Sequence, residues 1–376
     1  MLHSAKEHIN NSSYNNFVIV HIVESFAGGT FEFLVNLTKN LSEFHHVIIH
    51  GKRNETIVNY QSFFPTDVEF IYWQNAERKI SLVKDIKALI ELFKILRRIK
   101  KINIIHVHSS KAGFLGRLAA LITGKRKKVI YTPHGISFFR KDVSLFKTIF
   151  YVFLEFIASF MCNIIVCCSQ SEKDFVKKYF IKNVLVIENG VFEYKENKIT
   201  AIKETDKFIV ATMGRITPAK NPELFNEIAY HIKDDKQIKF IWIGDGENRQ
   251  SLKSENIFIT GWLSANKALR KLSECDIYLS TSLWEGLPLS VLSAMAEAKP
   301  VVLTKCAGNI DVNKCNNALF YDTTIDAVKI LLKLKNNKSL IDDLGIKNYE
   351  VYKKFFTINK MSEKYKRLYL SVSDEK

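Results

Sequence analysis

The chain has no Cys-x-x-Cys pair, and no histidine stands at metal-ligand spacing from a cysteine. Its six cysteines (162, 167, 168, 275, 306 and 315) lie mostly inside apolar runs. They read as reduced core residues of a cytoplasmic protein, not as a disulfide framework or a zinc site. The N-terminal MLHSAKEHINNSSYNN lacks the apolar core of a signal peptide, so export is not expected. An uninterrupted membrane-length run is also missing. The most apolar stretch, Leu145 to Cys168, is broken by Lys147 and Glu155 and ends in the strand-like NIIVCCS. A spanning helix needs about 20 apolar residues without such breaks, so a buried or membrane-apposed helix followed by a strand is expected. Acidic residues are short as well: 39 Asp and Glu against 55 Lys and Arg leave a net charge of +16. That surplus calls for an anionic partner, whether nucleic acid, an anionic membrane surface or an anionic substrate. With no zinc finger, RNP-like aromatic motif or basic low-complexity tail, nucleic acid is the poorest of the three.

What is present is the composition of a globular protein, 47% hydrophobic and 25% charged, long enough for two domains with cores of their own. The positive charge is uneven. Residues 1–200 hold 28 Lys and Arg against 17 Asp and Glu, about two thirds of the whole excess. Part of it lies in SLVKDIKALIELFKILRRIKK (81–101), where Lys84, Lys87, Lys94, Arg98 and Lys101 form one stripe of an amphipathic helix and Leu82, Ile86, Leu89, Phe93 and Leu96 lie elsewhere. Such a helix either packs on a sheet with a solvated basic face or docks on anionic lipid.

The chain is organised around Thr281 to Pro300, TSLWEGLPLSVLSAMAEAKP. A strand end leads through Glu285-Gly286-Leu287-Pro288 into a helix, with Pro288 near its first turn and Leu289, Leu292, Met295 and Ala296 at helical spacing. The start of a helix presents free N–H groups and the positive end of its dipole, which suits a phosphate. A carboxylate beside that anion site suits the hydroxyls of a polar group attached to the phosphate, and together they suggest a sugar nucleotide. Two other strand-to-helix loops have related chemistry. FVIVHIV (17–23) runs into Glu24-Ser25-Phe26-Ala27-Gly28-Gly29-Thr30, where Gly28 and Gly29 let backbone approach an anion, though a plain tight turn has the same residues. Phe208 to Met213 runs into Gly214-Arg215-Ile216-Thr217-Pro218-Ala219-Lys220-Asn221, which offers a guanidinium fork and a point charge to a diphosphate. Gly244-Asp245-Gly246-Glu247-Asn248-Arg249 has the first two glycines of a dinucleotide fingerprint but Arg249 in place of the third, which argues against NAD. The polar segment Glu193 to Lys207 reads as a linker.

The Glu-Gly-Leu-Pro loop with its small-residue helix resembles the donor-binding motif of the family-four retaining glycosyltransferases, and HSSKAG (108–113) with YTPHGISF (131–138) resembles the N-terminal domain of the polysaccharide-assembly members. The resemblance runs from about Phe17 to the C-terminal helix. It implies an α/β fold of the GT-B type: two Rossmann-like domains facing each other across a cleft, an acceptor domain at 1–195 and a nucleotide-sugar domain at 196–357. A helix at 358–376 would return to the first domain. It implies further that Arg215 and Lys220 bind the donor phosphates with Gly28, Gly29, Gly286, Leu287 and Pro288. Glu285 and His134 would line the reacting sugar as catalytic residues, and Gly261 and Trp262 would hold the base. The family's second glutamate, which grips the ribose, is here Ser293. A carboxylate on a ribose diol is worth ~1.5–3 kcal/mol against ~0.5–1.5 for a neutral hydroxyl, so donor binding weakens roughly tenfold without being abolished.

The implied reaction moves a sugar, with retained configuration, from a UDP-linked or similar donor to a lipid-linked saccharide in surface polysaccharide (O-antigen or capsule) assembly. It would take place at the cytoplasmic face of the membrane. No Asp-x-Asp triplet is present and two cations stand ready for the leaving diphosphate, so no metal and no cofactor are expected. A glycoside hydrolase is disfavoured because it needs a second, nearby carboxylate. Two alternatives stay open: a sugar-nucleotide epimerase of the same fold, and a catalytically inactive sugar-nucleotide-binding partner protein.

Overall fold

The computed structural model describes residues 16–53, 56–77, 80–136, 142–179, 183–193 and 206–374. The polar N-terminus, most of the expected linker, and Ser137 and Phe138 of the YTPHGISF motif lie outside the described residues. Short apolar runs that follow glycine or polar breaks make thirteen strands among the described residues. Seven form the first sheet: β1 (Val18–Val23), β2 (His45–His50), β3 (Glu69–Tyr72), β4 (Ile104–His108), β5 (Val129–Thr132), β6 (Ile164–Cys167) and β7 (Val184–Val186), in the order β3-β2-β1-β4-β5-β6-β7. Six form the second: β8 (Phe208–Met213), β9 (Ile238–Ile243), β10 (Ile257–Ile259), β11 (Ile277–Ser280), β12 (Val301–Thr304) and β13 (Leu319–Tyr321), in the order β10-β9-β8-β11-β12-β13.

The pairings are parallel, which requires crossover helices and buries both faces. Hence β4 and β11 carry no exposed residue. The first half contributes α1 (Gly28–Asn40), α2 (Leu82–Arg98), α3 (Ser110–Ile122), α4 (Leu145–Ser159) and α5 (Gln170–Lys177). The second contributes α6 (Pro222–His231), α7 (Ala265–Ser273), α8 (Leu289–Ala296), α9 (Thr324–Lys335), α10 (Lys338–Phe355) and α11 (Ile358–Asp374). These are two Rossmann-like sheets of the GT-B class. Each has a point where successive strands depart to opposite sides, between β1 and β4 and between β8 and β11. Open α/β sheets bind ligands beyond the carboxyl ends of the strands at such points.

By contacts the chain divides into two compact units, and the break differs from the expected boundary near residue 195. Unit one is Met1–Thr132 with Ala158–Ile164 and Lys366–Lys376; unit two is Pro133–Ile157 with Ile165–Tyr365. Apart from Ala158–Ile164, the residues that follow β5 in the first half group with unit two because their loops pack on it. Asn189 Nδ2 donates to the carbonyl of Leu287 at 2.9 Å, and Val191 bridges to Thr357. The last residues of α11 return to unit one, where Tyr369 meets His106 at 2.7 Å and Lys366 pairs with Glu43 at 2.8 Å.

Unit one buries an unusual sheet face. His21 of β1 stands in register with His106 of β4, and His46 and His108 lie on the same face. All four are at most 1% exposed. His46 Nε2 faces the Leu41 carbonyl at 2.9 Å, and a carbonyl only accepts, so that nitrogen carries the proton. His46 Nδ1 then accepts from His21 Nε2, and His21 Nδ1 from His108 Nε2, each at 3.1 Å. Burial, with the neighbouring imidazoles second, keeps His21 well below its ordinary pKa, and burial pushes His46 down to about 4. The network is neutral and directional.

Two helices add detail to the sequence reading, and one cysteine departs from it. On α2 the buried residues are Ala88, Leu92 and Leu96, while Leu82 and Ile86 are exposed. The buried stripe follows i, i+4, i+8, and its small first member Ala88 accepts a bond from the Trp73 indole at its carbonyl. Pro288 is the N-cap of α8 with an extended ψ of 113°, one residue before the helix proper. All six cysteines are free; five are buried, but Cys315 is exposed in the loop before β13.

Candidate functional site

Beyond the carboxyl ends of β8 and β11 the expected donor residues come together. The two loops are laced by backbone: Leu283 N–H donates to the Ala219 carbonyl at 2.8 Å, and the Thr281 hydroxyl to the Lys220 carbonyl at 2.7 Å. This places Lys220 Nζ 2.7 Å from Glu285 Oε1, which also accepts from the Ser282 hydroxyl at 2.8 Å. Burial disfavours the Lys220 charge, but the adjoining carboxylate more than offsets it, so the pKa of Lys220 is raised and the ammonium stays charged. Arg215, in the same loop, has its Nε 2.9 Å from Glu247 Oε2 on a more exposed pair. The site thus contains two cations, each already oriented by a carboxylate.

The EGLP loop has a second neighbour. A side chain on Gly286 would meet Gly135 N and Cys168 Sγ, each at 2.8 Å, so only glycine allows this approach. Gly135 and His134, beyond β5, both have positive φ, 95° and 56°. For His134 that left-handed backbone costs of order 1–2 kcal/mol and persists only where its surroundings impose it. Loss of water around its ring holds His134 down to about 3, so it acts there as a neutral imidazole.

What imposes the turn is Glu172, which the sequence reading missed. Its Oε1 accepts from the N–H groups of Gly135 (3.0 Å) and Ile136 (2.9 Å), and its Oε2 from Cys168 N–H (2.8 Å) and Cys168 Sγ (3.1 Å). Glu172 is fully buried. Burial raises its pKa against the pull of those donors. One carboxyl therefore fixes both surfaces on which Gly286 rests. The available signal was Ser169-x-x-Glu172 after a strand, the spacing of a capping box. Ser169 does accept from Glu172 N at 3.2 Å, but the Glu172 carboxylate turns to the His134 loop instead of completing the box. Asp311 accepts from the N–H groups of Ser171 (3.1 Å) and Gly308 (3.2 Å).

The remaining expected residues are placed as follows. Leu287 is buried, with its carbonyl taken by Asn189, and α8 starts beyond Pro288. Gly261 follows β10 with a φ of 72° and bridges to Gly244, and Trp262 beside it is 61% exposed, an open aromatic face. Ser293 is buried in α8 at 4% exposure, so its hydroxyl offers little surface. Gly28 and Gly29 open α1 in unit one, apart in the contact division from the unit-two residues above. Space where a Gly28 side chain would stand is open. Next to them Glu24 accepts from the Ser109 hydroxyl at 2.7 Å, joining the loops after β1 and β4 at the first switch point.

For metals, His21, His106 and His108 bring ring nitrogens within 4.8 Å of one another. Both His106 nitrogens are engaged, with Tyr369 at 2.7 Å and Thr132 at 2.8 Å, and His21 bonds on both sides. Those bonds suit a closed structural network better than a ligand set.

Two parallel Rossmann-like sheets of this type are the architecture of the GT-B fold. Comparison with known proteins agrees. Glycosyltransferase Family 4 matches residues 27–192 and Glycosyl transferases group 1 matches residues 194–351. An Escherichia coli UDP-Gal:alpha-D-GlcNAc-diphosphoundecaprenol alpha-1,3-galactosyltransferase is 32% identical over 327 residues, 78% of this chain and 82% of that one. The O-antigen biosynthesis glycosyltransferase WbnH of Escherichia coli is 30% identical over 247 residues, 62% of this chain and 68% of that one. Among solved structures, Anabaena Alr3699/HepE in complex with UDP-glucose superposes with a TM-score of 0.77 at 16% identity, covering 94% of this chain and 99% of that chain. The chain belongs to the family-four glycosyltransferases, and it is a glycosyltransferase.

Proposed function

We propose that the protein transfers a sugar from a nucleoside-diphosphate donor, UDP-linked, to a saccharide carried on a lipid diphosphate, with retention at the anomeric carbon. The pathway would be that of a bacterial surface polysaccharide, O-antigen or capsule. The observation that carries the reading is the Lys220–Glu285 pair at the second switch point, beside Arg215 and the start of α8. In this reading Lys220 and Arg215 take the donor phosphates and stabilise the diphosphate as its negative charge grows. The helix mouth after Pro288 adds backbone N–H groups to the same task. Glu285, released from Lys220 as phosphate takes its place, holds sugar hydroxyls, and neutral His134 contributes a hydrogen bond from the opposite loop. Residues 196–357 would bind the donor, with Gly261 and Trp262 against the base and Ser293 near the ribose. Residues 1–195 would take the acceptor, with Gly28 and Gly29 at the phosphates.

The donor and acceptor classes are supported by the names of the relatives, which include a galactosyltransferase acting on a diphosphoundecaprenol-linked sugar. No helix among the described residues is long and apolar enough to cross a membrane. Attachment to the cytoplasmic face as a peripheral protein, driven by the +16 net charge, fits a lipid-borne acceptor. The cationic pair does the work of a metal, so turnover is expected to survive EDTA.

The test is donor turnover, with and without an undecaprenyl-diphosphate-linked sugar, across a panel of nucleotide sugars. Acceptor-dependent release of nucleoside diphosphate with an α-linked product supports the reading. Conversion of the free nucleotide sugar without acceptor would instead indicate an epimerase. Binding without turnover would indicate an inactive partner protein. Loss of turnover in EDTA, restored by magnesium, would refute metal independence.

A further inference from the structure

Of the apolar run from Leu145, β6 enters the core but α4 does not bury its large apolar side chains. On α4 the side chains of Leu145, Phe146, Ile149, Phe150, Phe153 and Phe156 are all exposed, Phe146 at 87%. At about 100° per residue these six fall within an arc of roughly 140°, one continuous face over three turns. Glu155, on the opposite side of the helix, is 5% exposed, so the polar residue faces protein and the phenylalanines face outward. This inverts the ordinary surface helix, whose apolar stripe faces the core. Isolated exposed apolar residues need no explanation, but a contiguous patch of this kind marks a docking surface.

We propose that α4 is an interfacial membrane helix whose phenylalanine face enters the boundary between headgroups and acyl chains of an anionic bilayer. The choice of a bilayer rests on the lipid-borne acceptor proposed above and on three features of the molecule. The net charge of +16 is complementary to anionic headgroups and opposes pairing with a second, equally charged copy. Lys147 is exposed at the edge of the apolar arc. There a bilayer lets its ammonium reach the headgroups, whereas a packed protein interface would bury it unpaired. Finally α4 has 15 residues, about 22 Å of helix against a hydrocarbon core of about 30 Å, so it lies in the interface and does not span. Aromatic side chains with shallow apolar burial are what that depth favours.

The experiment measures co-sedimentation of the full chain with phosphatidylcholine vesicles containing phosphatidylglycerol, and with phosphatidylcholine alone. We expect the F150S/F153S double variant to lose at least about fivefold in partitioning, with unchanged monomer mass in solution. F146S, at the most exposed position, is the second variant should the double variant unfold. F150W should show a blue-shifted emission when vesicles are added. Wild-type partitioning by folded variants would overturn the proposal, as would a wild-type dimer that the variants dissociate, which would make the face a contact between copies. Nucleotide-sugar turnover with water or a short-chain soluble acceptor is read in parallel. If turnover is absent, the glycosyltransferase reading fails; if partitioning alone is unchanged, the docking helix fails.

Discussion

The molecule holds two polar clusters, one buried and one partly buried, and they are built on opposite rules. In unit one, His46, His21 and His108 satisfy one another in sequence and end on a carbonyl, with burial holding His21 and His46 neutral. In unit two, Lys220 pairs with Glu285 and has its pKa raised, and burial raises that of Glu172, beside loops with left-handed backbone. A neutral, closed network stabilises one arrangement and has nothing left to offer a ligand. A charged cluster costs desolvation and strain, and is retained where a ligand's charge is to be met. Burial alone does not make that distinction, since Glu172 is as buried as the histidines.

Four changes test that contrast, the largest first. Glu285→Ala should lower kcat by about 10²–10³-fold, the scale for removing one preorganised polar group from a reaction centre, with the fold intact by circular dichroism. Lys220→Met should reduce kcat/KM by about 10²-fold and also destabilise, by up to about 3–5 kcal/mol in denaturant titration. It leaves the mostly buried Glu285 carboxylate without its partner. Equal activity in either variant would remove the charged cluster from the mechanism.

Glu172→Gln should act through the His134 turn. Its amide keeps one acceptor oxygen for Gly135 and Ile136 but turns an N–H₂ toward Cys168 N–H. A loss of about 1–3 kcal/mol in stability is expected. The kinetic signature is a kcat about tenfold lower with KM for the donor little changed, which a purely structural role would not produce.

The histidine network predicts a pH effect confined to stability. In the folded chain His21 and His46 lie below the unfolded value of 6.5, His46 at about 4. Below pH 6.5 the unfolded chain binds more protons, so stability is full above 6.5 and falls as pH drops toward 4. His46 alone accounts for up to about 3 kcal/mol over that window. Denaturant unfolding of the wild type at pH 7 and pH 4.5 measures it, and His46→Gln should flatten the difference. A pH-independent midpoint would show that the imidazoles are solvated.

Much of the fold was legible because parallel strands buried on both faces are written as apolar runs: FVIVHIV and Phe208 to Met213 became β1 and β8 with a shift of at most one residue. The short β13 escaped because its three residues follow a polar loop and carry no periodic signal. The Lys220 and Glu285 loops were found because a strand, a special loop and a helix leave a local signature. Glu172 was not, because its meaning depends on backbone N–H groups 36 and 37 residues away. The outward face of α4 was also unreadable, since an apolar stripe looks the same whichever way it points.

By itself the sequence determined the two α/β halves, the class of chemistry and the excess of positive charge, because these follow from local pattern and composition. Tertiary structure alone decided which buried polar groups cancel one another and which remain poised. Whether a histidine or glutamate is neutral, held or charged is set by the neighbours that folding brings to it, and those neighbours are distant in the chain.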